Sequence, residues 1–180
     1  MLDGEDKLIY DAVKGEASAF GFLYDHYQPK IYRFVLIKVS QREEAEDLTH
    51  QVFLHAWTHI GQYQDVGFPF SSWLYRIARN QVIDHYRTKK AHLSIDEVDE
   101  NRFAADAAHE RNLDTAMTLE RVRHAIRSMK PEYQDVIIMR FVEDLSIKET
   151  AHASGKTEGA IKLMQHRAMK TLKQLITHNK

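Results

Sequence analysis

Cysteine is absent from all 180 residues of this chain, which excludes disulfides, thiolate metal sites and cysteine nucleophiles and fits a reducing compartment. Helix breakers are scarce, with seven glycines and only Pro29, Pro69 and Pro131 as prolines. No sustained alternation of apolar and polar residues marks a strand, so the fold class is expected to be all-α. No apolar run is long enough to span a bilayer, and the opening MLDGEDK is acidic and polar rather than a secretion signal. The expected setting is cytoplasmic, without membrane insertion. Also missing are a phosphate-cradling glycine loop, a nucleophile elbow, and any carboxylate pair that its context raises above surface charge. Eleven histidines invite a metal hypothesis, and His55 and His59 share a helical face. No acid stands between them as in HExxH, however, and no third ligand is apparent. The chain is therefore read as a non-enzyme with no catalytic residue, no metal site and no cofactor.

What is present is charge, segregated along the chain behind a formal net charge of only −1. Arg76, Arg79, Arg87, Lys89 and Lys90 form one basic block opposed by Asp84. From Lys156 onward, Lys162, Arg167, Lys170, Lys173 and Lys180 face a lone Glu158. Between the blocks, Asp96, Glu97, Asp99, Glu100, Asp106, Glu110 and Asp114 outnumber Arg102 and Arg111 in a stretch poor in large apolar residues. That composition predicts a solvated, flexible acidic linker over 91–115 between two small helical domains at 1–90 and 116–180.

Helical periodicity predicts segments over 6–14, 17–27 and 29–39, the last opened by Pro29 in a position suited to a first helical turn. Residues 41–60 carry a stripe of Ala45, Leu48, Val52, Ala56 and Ile60, with Glu43, Glu44, Glu46 and Asp47 complementing the helix dipole near its start. The stretch GQYQDVGFP over 61–69 is a loop. After it, Ser71 or Ser72 opens a helix with Trp73, Leu74, Ile77, Ala78, Val82 and Ile83 on its apolar face and a basic opposite face. In the second half, helices are expected over 116–129 and 132–141, the latter preceded by Pro131.

The segment from Ser146 to Leu175, SIKETAHASGKTEGAIKLMQHRAMKTLKQL, reads as two helices joined by a tight turn, a helix-turn-helix. Ser146 followed by Glu149 makes a capping box, Gly155 ends the first helix, and Thr157 caps a second. Along that second helix Ile161, Met164, Ala168, Leu172 and Leu175 recur at helical spacing and leave Lys162, Gln165, His166, Arg167, Lys170 and Lys173 largely on other faces. Such a helix suits a major groove.

Three motifs in order, EEAEDLTHQVFLHAW, FSSWLYRIARNQVIDHYR and the closing helix-turn-helix, resemble an extracytoplasmic-function (ECF) sigma factor of the sigma-70 family. The resemblance covers nearly the whole chain outside the linker and the extreme termini. It implies that the first domain is a sigma region 2 bundle and the second a sigma region 4 helix-turn-helix. The function implied is that of an RNA polymerase sigma factor, which binds core polymerase and directs promoter-specific initiation. The partners implied are core RNA polymerase, through its β′ clamp helices and its β subunit, promoter DNA and an anti-sigma factor. Polymerase binding falls on Glu43, Glu46, Asp47, Leu48, Gln51, Val52 and Phe53, a face of carboxylates and an amide with an exposed aromatic and a central apolar anchor.

On the minus-ten side, the resemblance implies that a non-template base is flipped into a pocket at the 61–70 loop. Tyr63, Phe68 and Phe70 are stacking candidates, and Arg76, Arg79, Asn80, Asp84, His85 and Arg87 are candidates for polar readout or phosphate contact. Of these, Tyr63, Phe68, Arg76, Arg79, Asn80, Asp84 and Arg87 are assigned to DNA. Trp73 has the position of a melting wedge, but its spacing with Ile77 favours the core, and Phe70 fits either role. On the minus-thirty-five side, Lys162, Gln165, His166 and Arg167 are assigned to bases, and Lys156, Thr157 and Lys170 to phosphates. Here the chain departs from the common pattern: Ala153 and Ser154 stand where bulkier aliphatics are usual, Lys156 replaces an aliphatic, and Met164 and Gln165 are exchanged in polarity. The competing reading is a helix-turn-helix regulator whose first domain senses a ligand or dimerises.

Overall fold

The computed structural model describes residues 4–64, 67–93 and 113–178, and among them every regular element is helical. The acidic stretch at 94–112, most of the expected linker, lies outside the described residues. The elements are α1 Glu5–Val13, α2 Ala17–Val39, α3 Arg42–His59, a 3-10 turn Ile60–Gln62, α4 Phe70–Leu93, α5 Leu113–Arg127, α6 Pro131–Ile137, a π turn Ile138–Val142, α7 Ile147–Ser154 and α8 Glu158–His178.

The two segments expected on either side of Pro29 are one continuous helix, α2, with Pro29 inside it. A proline within a helix costs roughly 3 kcal/mol through its missing N–H and ring clash. The same helix buries Leu23, Tyr27, Ile31, Phe34 and Val35, and each such side chain stabilises by roughly 1.5–3 kcal/mol. Continuity of that buried stripe across Pro29 outweighs the local penalty. The helix stops at Ser40, whose left-handed backbone (φ 71°) turns its N–H onto Leu36 O at 2.9 Å.

Helices α1 to α4 pack in sequence around a core of Leu23, Ile31, Phe34, Val35, Val52, Leu74 and Ala78, all fully buried. On α4, Leu74, Ile77, Ala78 and Val82 face inward as the periodicity predicts, while Ile83 is 40 % exposed and leaves the apolar face. Trp73 is half-buried against Tyr63 and Phe70, and Phe70 is buried, so both belong to the core.

In the second half α5 and α6 pack on α8, and α7 packs on both α8 and α4. Val136, Ala151 and Ile161 form a small core of their own, while Ala125, Ile126, Met129, Ala153, Ala168 and Leu172 join the larger cluster of the first half. The two regions are thus docked on one another through α4 with α7 and α2 with α5.

Candidate nucleic-acid and polymerase interfaces

Local sequence builds the helix-turn-helix as expected. Ser146 Oγ accepts the Glu149 N–H at 3.1 Å, and the Glu149 carboxylate accepts the Ser146 N–H at 2.6 Å. Gly155 then adopts φ 64°, the left-handed conformation that closes helices most cheaply without a Cβ. Thr157 Oγ1 accepts the Ala160 N–H at 3.2 Å and opens α8. Along α8, Ile161 and Ala168 are fully buried, and Lys162, His166, Arg167 and Lys170 are exposed. The unusual small residues of α7 have a packing reason. Ala151 faces Val136 and Ile161, whereas Ala153 belongs to the main core, so α7 is buried on two sides.

Three of the minus-thirty-five candidates are engaged within the chain, Thr157 through its cap on α8 and two others through side-chain partners. Gln165, expected to face outward, is half-buried and accepts from Arg140 Nε at 3.0 Å, while Arg140 also donates to the Leu145 carbonyl. Lys156 reaches Glu132 at 3.4 Å.

On the minus-ten side the candidates divide. Asn80, Asp84 and Arg87 are exposed on α4, with Arg87 and Asp84 paired at 3.2 Å. Arg76 is exposed and makes no ion pair among the described residues. Tyr63 packs edge-on to Phe70 and Trp73 and donates weakly to the Phe68 carbonyl at 3.4 Å. Between α1 and this loop lies a cavity of about 610 Å³, its walls including Glu5, Asp6, Tyr10, Tyr63, Phe68 and Phe70. Sequence reasoning did not bring Glu5, Asp6 and Tyr10 to this site. Only proximity in the fold places them there, with Glu5 held by the Tyr27 hydroxyl. Burial, with the Glu5 carboxylate beside it, pushes the Tyr27 phenol well above its usual range.

The expected polymerase face requires correction. Glu43, Glu46, Asp47 and Gln51 are exposed on α3, but Leu48, Val52 and Phe53 are buried in the bundle, at 4 %, 0 % and 3 % exposure. They lie on the inward side of α3 and cannot be the apolar anchor. The exposed apolar side chains of this helix are Leu54 and Trp57, the latter packed at 5.0 Å on Phe20. His55 and His59 stack at 4.1 Å, and His59 Nδ1 lies 2.8 Å from the His55 carbonyl. Burial and the neighbouring ring hold His55 below its usual pKa. No group of three or more metal-binding side chains occurs among the described residues.

Ionic contacts join the two regions. The Asp135 carboxylate of α6 receives Lys38 Nζ on one oxygen and Arg79 Nε at 2.8 Å on the other, all three side chains being largely buried. Glu143 takes a two-pronged contact from Arg33, at 2.6 and 2.9 Å, and the Tyr75 hydroxyl at 2.9 Å. The contact with Glu143 raises the pKa of Arg33, and burial followed by that carboxylate raises Tyr75. At the loop, the His152 imidazole stacks on Phe68, with Lys148 Nζ 5.0 Å from the same ring. None of these pairings is predicted by the sequence patterns.

Comparison with known proteins identifies the two regions. Residues 23–92 match the family described as Sigma-70 region 2, and residues 119–172 match Sigma-70, region 4. The chain is 39 % identical over 94 % of its length to the ECF RNA polymerase sigma factor BldN of Streptomyces coelicolor, and spans 65 % of that relative. It is 31 % identical over 97 % of its length to the ECF RNA polymerase sigma factor SigD of Mycobacterium tuberculosis, spanning 86 % of it. The fold is similar to that of the sigma factor RpoE of Bartonella quintana, solved in complex with the anti-sigma factor NepR. That match has a TM-score of 0.75 and 22 % identity, and covers 89 % of this chain and 98 % of that one. The fold and both family matches define a two-region sigma-70 protein. The chain belongs to the ECF RNA polymerase sigma factors.

Proposed function

We propose that this chain binds core RNA polymerase and directs it to promoters, reading a minus-ten element with the first helical region and a minus-thirty-five element with the second. The observation that carries the reading is the pairing of a capped helix-turn-helix, whose α8 presents Lys162, His166, Arg167 and Lys170 outward, with a separate acidic face on α3. A DNA-only regulator has no need of the second surface. Glu43, Glu46, Asp47 and Gln51 can pair with basic polymerase helices, with Leu54 and Trp57 as the apolar anchor in place of the buried trio.

The domain boundaries at 1–90 and 116–180 fit this division of labour. In the cavity between α1 and the loop, Tyr10, Tyr63 and Phe68 offer faces for an unstacked base, and Glu5 and Asp6 can accept from its amino groups. Arg76, Arg79, Asn80 and Arg87 would hold the adjoining backbone. The chain then contributes recognition while polymerase performs nucleotidyl transfer, which places it in the compartment of polymerase and makes it a non-enzyme. An anti-sigma factor is the natural regulatory partner, as NepR is bound to RpoE in their joint structure. Adding the purified chain to sigma-free core polymerase and mapping transcript starts tests the whole reading. Specific starts sharing two upstream elements are expected, and failure to initiate specifically would favour the plain regulator.

A further inference from the structure

We propose that the cleft between α4 and the turn of the helix-turn-helix binds a small phosphate-bearing anion, held jointly by Arg76 of the first region and by Lys148 and Lys156 of the second. The cleft has a volume of about 310 Å³, and its walls include Phe68, Arg76, Lys148, His152, Lys156 and Glu158. Three cations face one carboxylate there, which leaves two positive charges uncompensated. A cleft lined mainly by one sign of charge concentrates the opposite ion. None of the three cations has a close ionic partner among the described residues. Arg76 makes no ion pair, Lys156 stands 3.4 Å from Glu132, and Lys148 Nζ reaches the Gly67 carbonyl, also at 3.4 Å. At the wall, His152 Nδ1 is buried without a hydrogen bond among the described residues.

Charge and size select the ligand class. A phosphate monoester carries about −1.5 to −2 charges near pH 7, which matches the surplus, and its oxygens accept from ammonium and guanidinium groups at once. A carboxylate brings a single charge. The volume lies at the lower end of ligand pockets, which run from roughly 300 to 1,000 Å³, so the occupant is free phosphate or a small phosphorylated metabolite. For the latter, the stacked rings of Phe68 and His152 supply a flat wall beside the cations. Neither region holds this site alone, because Arg76 stands on α4, Phe68 on the loop before it, and the remaining groups on α7, the turn and the start of α8. Although Arg76, Phe68 and Lys156 also serve the promoter reading proposed above, the cleft and its charge do not depend on that reading.

Titration calorimetry on the full chain, in about 0.15 M chloride so that loose surface attraction is screened, tests the site with inorganic phosphate, AMP and acetate as probes. One phosphate per chain is expected to bind, with acetate at least about tenfold weaker. Tighter binding of AMP than of phosphate assigns the site to a phosphorylated metabolite, and equal binding assigns it to the phosphate group alone. Arg76→Ala and Lys148→Ala, both at exposed positions, should each weaken phosphate about tenfold. Glu158→Gln removes the facing carboxylate and should tighten binding about threefold, a gain that misfolding cannot produce. Lys173→Ala, about four turns further along α8, should change nothing. Absence of saturable phosphate binding overturns the site, and acetate binding as tight as phosphate overturns the ligand class. Phosphate binding that survives Arg76→Ala but is lost in Lys148→Ala and Lys156→Ala overturns the shared cleft and leaves the anion on the helix-turn-helix alone. Loss of specific initiation in the transcription assay bears on the promoter reading only, since neither polymerase nor DNA enters this titration.

Discussion

The imidazole of His152 lies face to face with the ring of Phe68, centroids 4.1 Å apart and planes 15° from parallel, and joins the helix-turn-helix to the loop of the other region. Its Nδ1 is buried without a hydrogen bond among the described residues. Burial, and then the Arg76 guanidinium on α4, hold the ring below its ordinary pKa of 6.5. Lys148 on α7 and Lys156 in the turn border the same cleft, and Glu158 at the start of α8 is the acidic group facing them. A protonated His152 would enter this mainly cationic setting.

The sign of the pH dependence follows. Docked, the ring binds fewer protons than it would when exposed, so its contribution is fully present above about pH 6.5 and is lost as pH falls from there through the depressed docked value. Energy transfer between dyes on the two regions should drop on going from about pH 7.5 to about pH 5.5. His26 and His55 are also held below their usual pKa, so the specific check is His152→Leu, which keeps an apolar cover over Phe68. A profile with the same slope in His152→Leu would sink the assignment.

Helix α3 supports a prediction that separates surface from core. Asp47→Lys changes an exposed side chain, so the melting temperature should hardly move while affinity for core polymerase falls about tenfold. Phe53→Ala removes a ring that is 3 % exposed and packs edge-on to Tyr24 at 4.7 Å. That truncation should cost about 3–5 kcal/mol of stability in denaturant unfolding. Loss of polymerase affinity from Phe53→Ala with stability intact would restore Phe53 to the binding surface.

What the sequence disclosed depended on range. The capping box at Ser146 and the glycine at position 155 act on their own few residues, and the helix-turn-helix was legible from them. The buried side of α3 was legible too, since Leu48 and Val52 lie on its apolar stripe, and assigning them also to polymerase asked one face to serve two purposes. Pro29 misled because a local rule for helix starts competed with a buried stripe running through the proline. The ionic contacts between the regions were beyond reach: Lys38 and Asp135 are 97 positions apart, Arg33 and Glu143 are 110. The available signal was a lone charge in an apolar run, Lys38 in LIKV and Asp135 in QDVIIM, which marks a buried partner without naming it.

Helix α8 is expected to act on DNA chiefly through charge. Lys162 and Arg167 are exposed on it. Each phosphate contact removed should lower the slope of log affinity against log salt by about one. Lys170→Ala should weaken binding to all duplexes alike and reduce that slope. Arg167→Ala should instead relax preference for one base pair, at about 1–3 kcal/mol. Equal effects of Arg167→Ala on every duplex would move Arg167 from base reading to phosphate contact, and filter binding across a salt series distinguishes the two.

Ser146 links the stability of the second region to its contact with the loop of the first. Helix α7 has eight residues, too few to persist without tertiary packing and caps. Its first turn depends on Ser146 Oγ, which accepts the Glu149 N–H at 3.1 Å, and on the reciprocal contact at 2.6 Å. Ser146→Ala should therefore cost about 1 kcal/mol and lower the melting temperature by about 2–4 °C. Ser146→Asp, which can still accept the amide, should retain most of that stability. Because α7 carries both His152 and Lys148 over Phe68, fraying at Ser146 should also loosen the cover of the loop. Amide exchange is expected to quicken at Glu149 and Thr150 in Ser146→Ala and return toward the native rate in Ser146→Asp. Exchange that quickens equally in both variants would show that packing against α4, rather than the cap, holds this end of the helix.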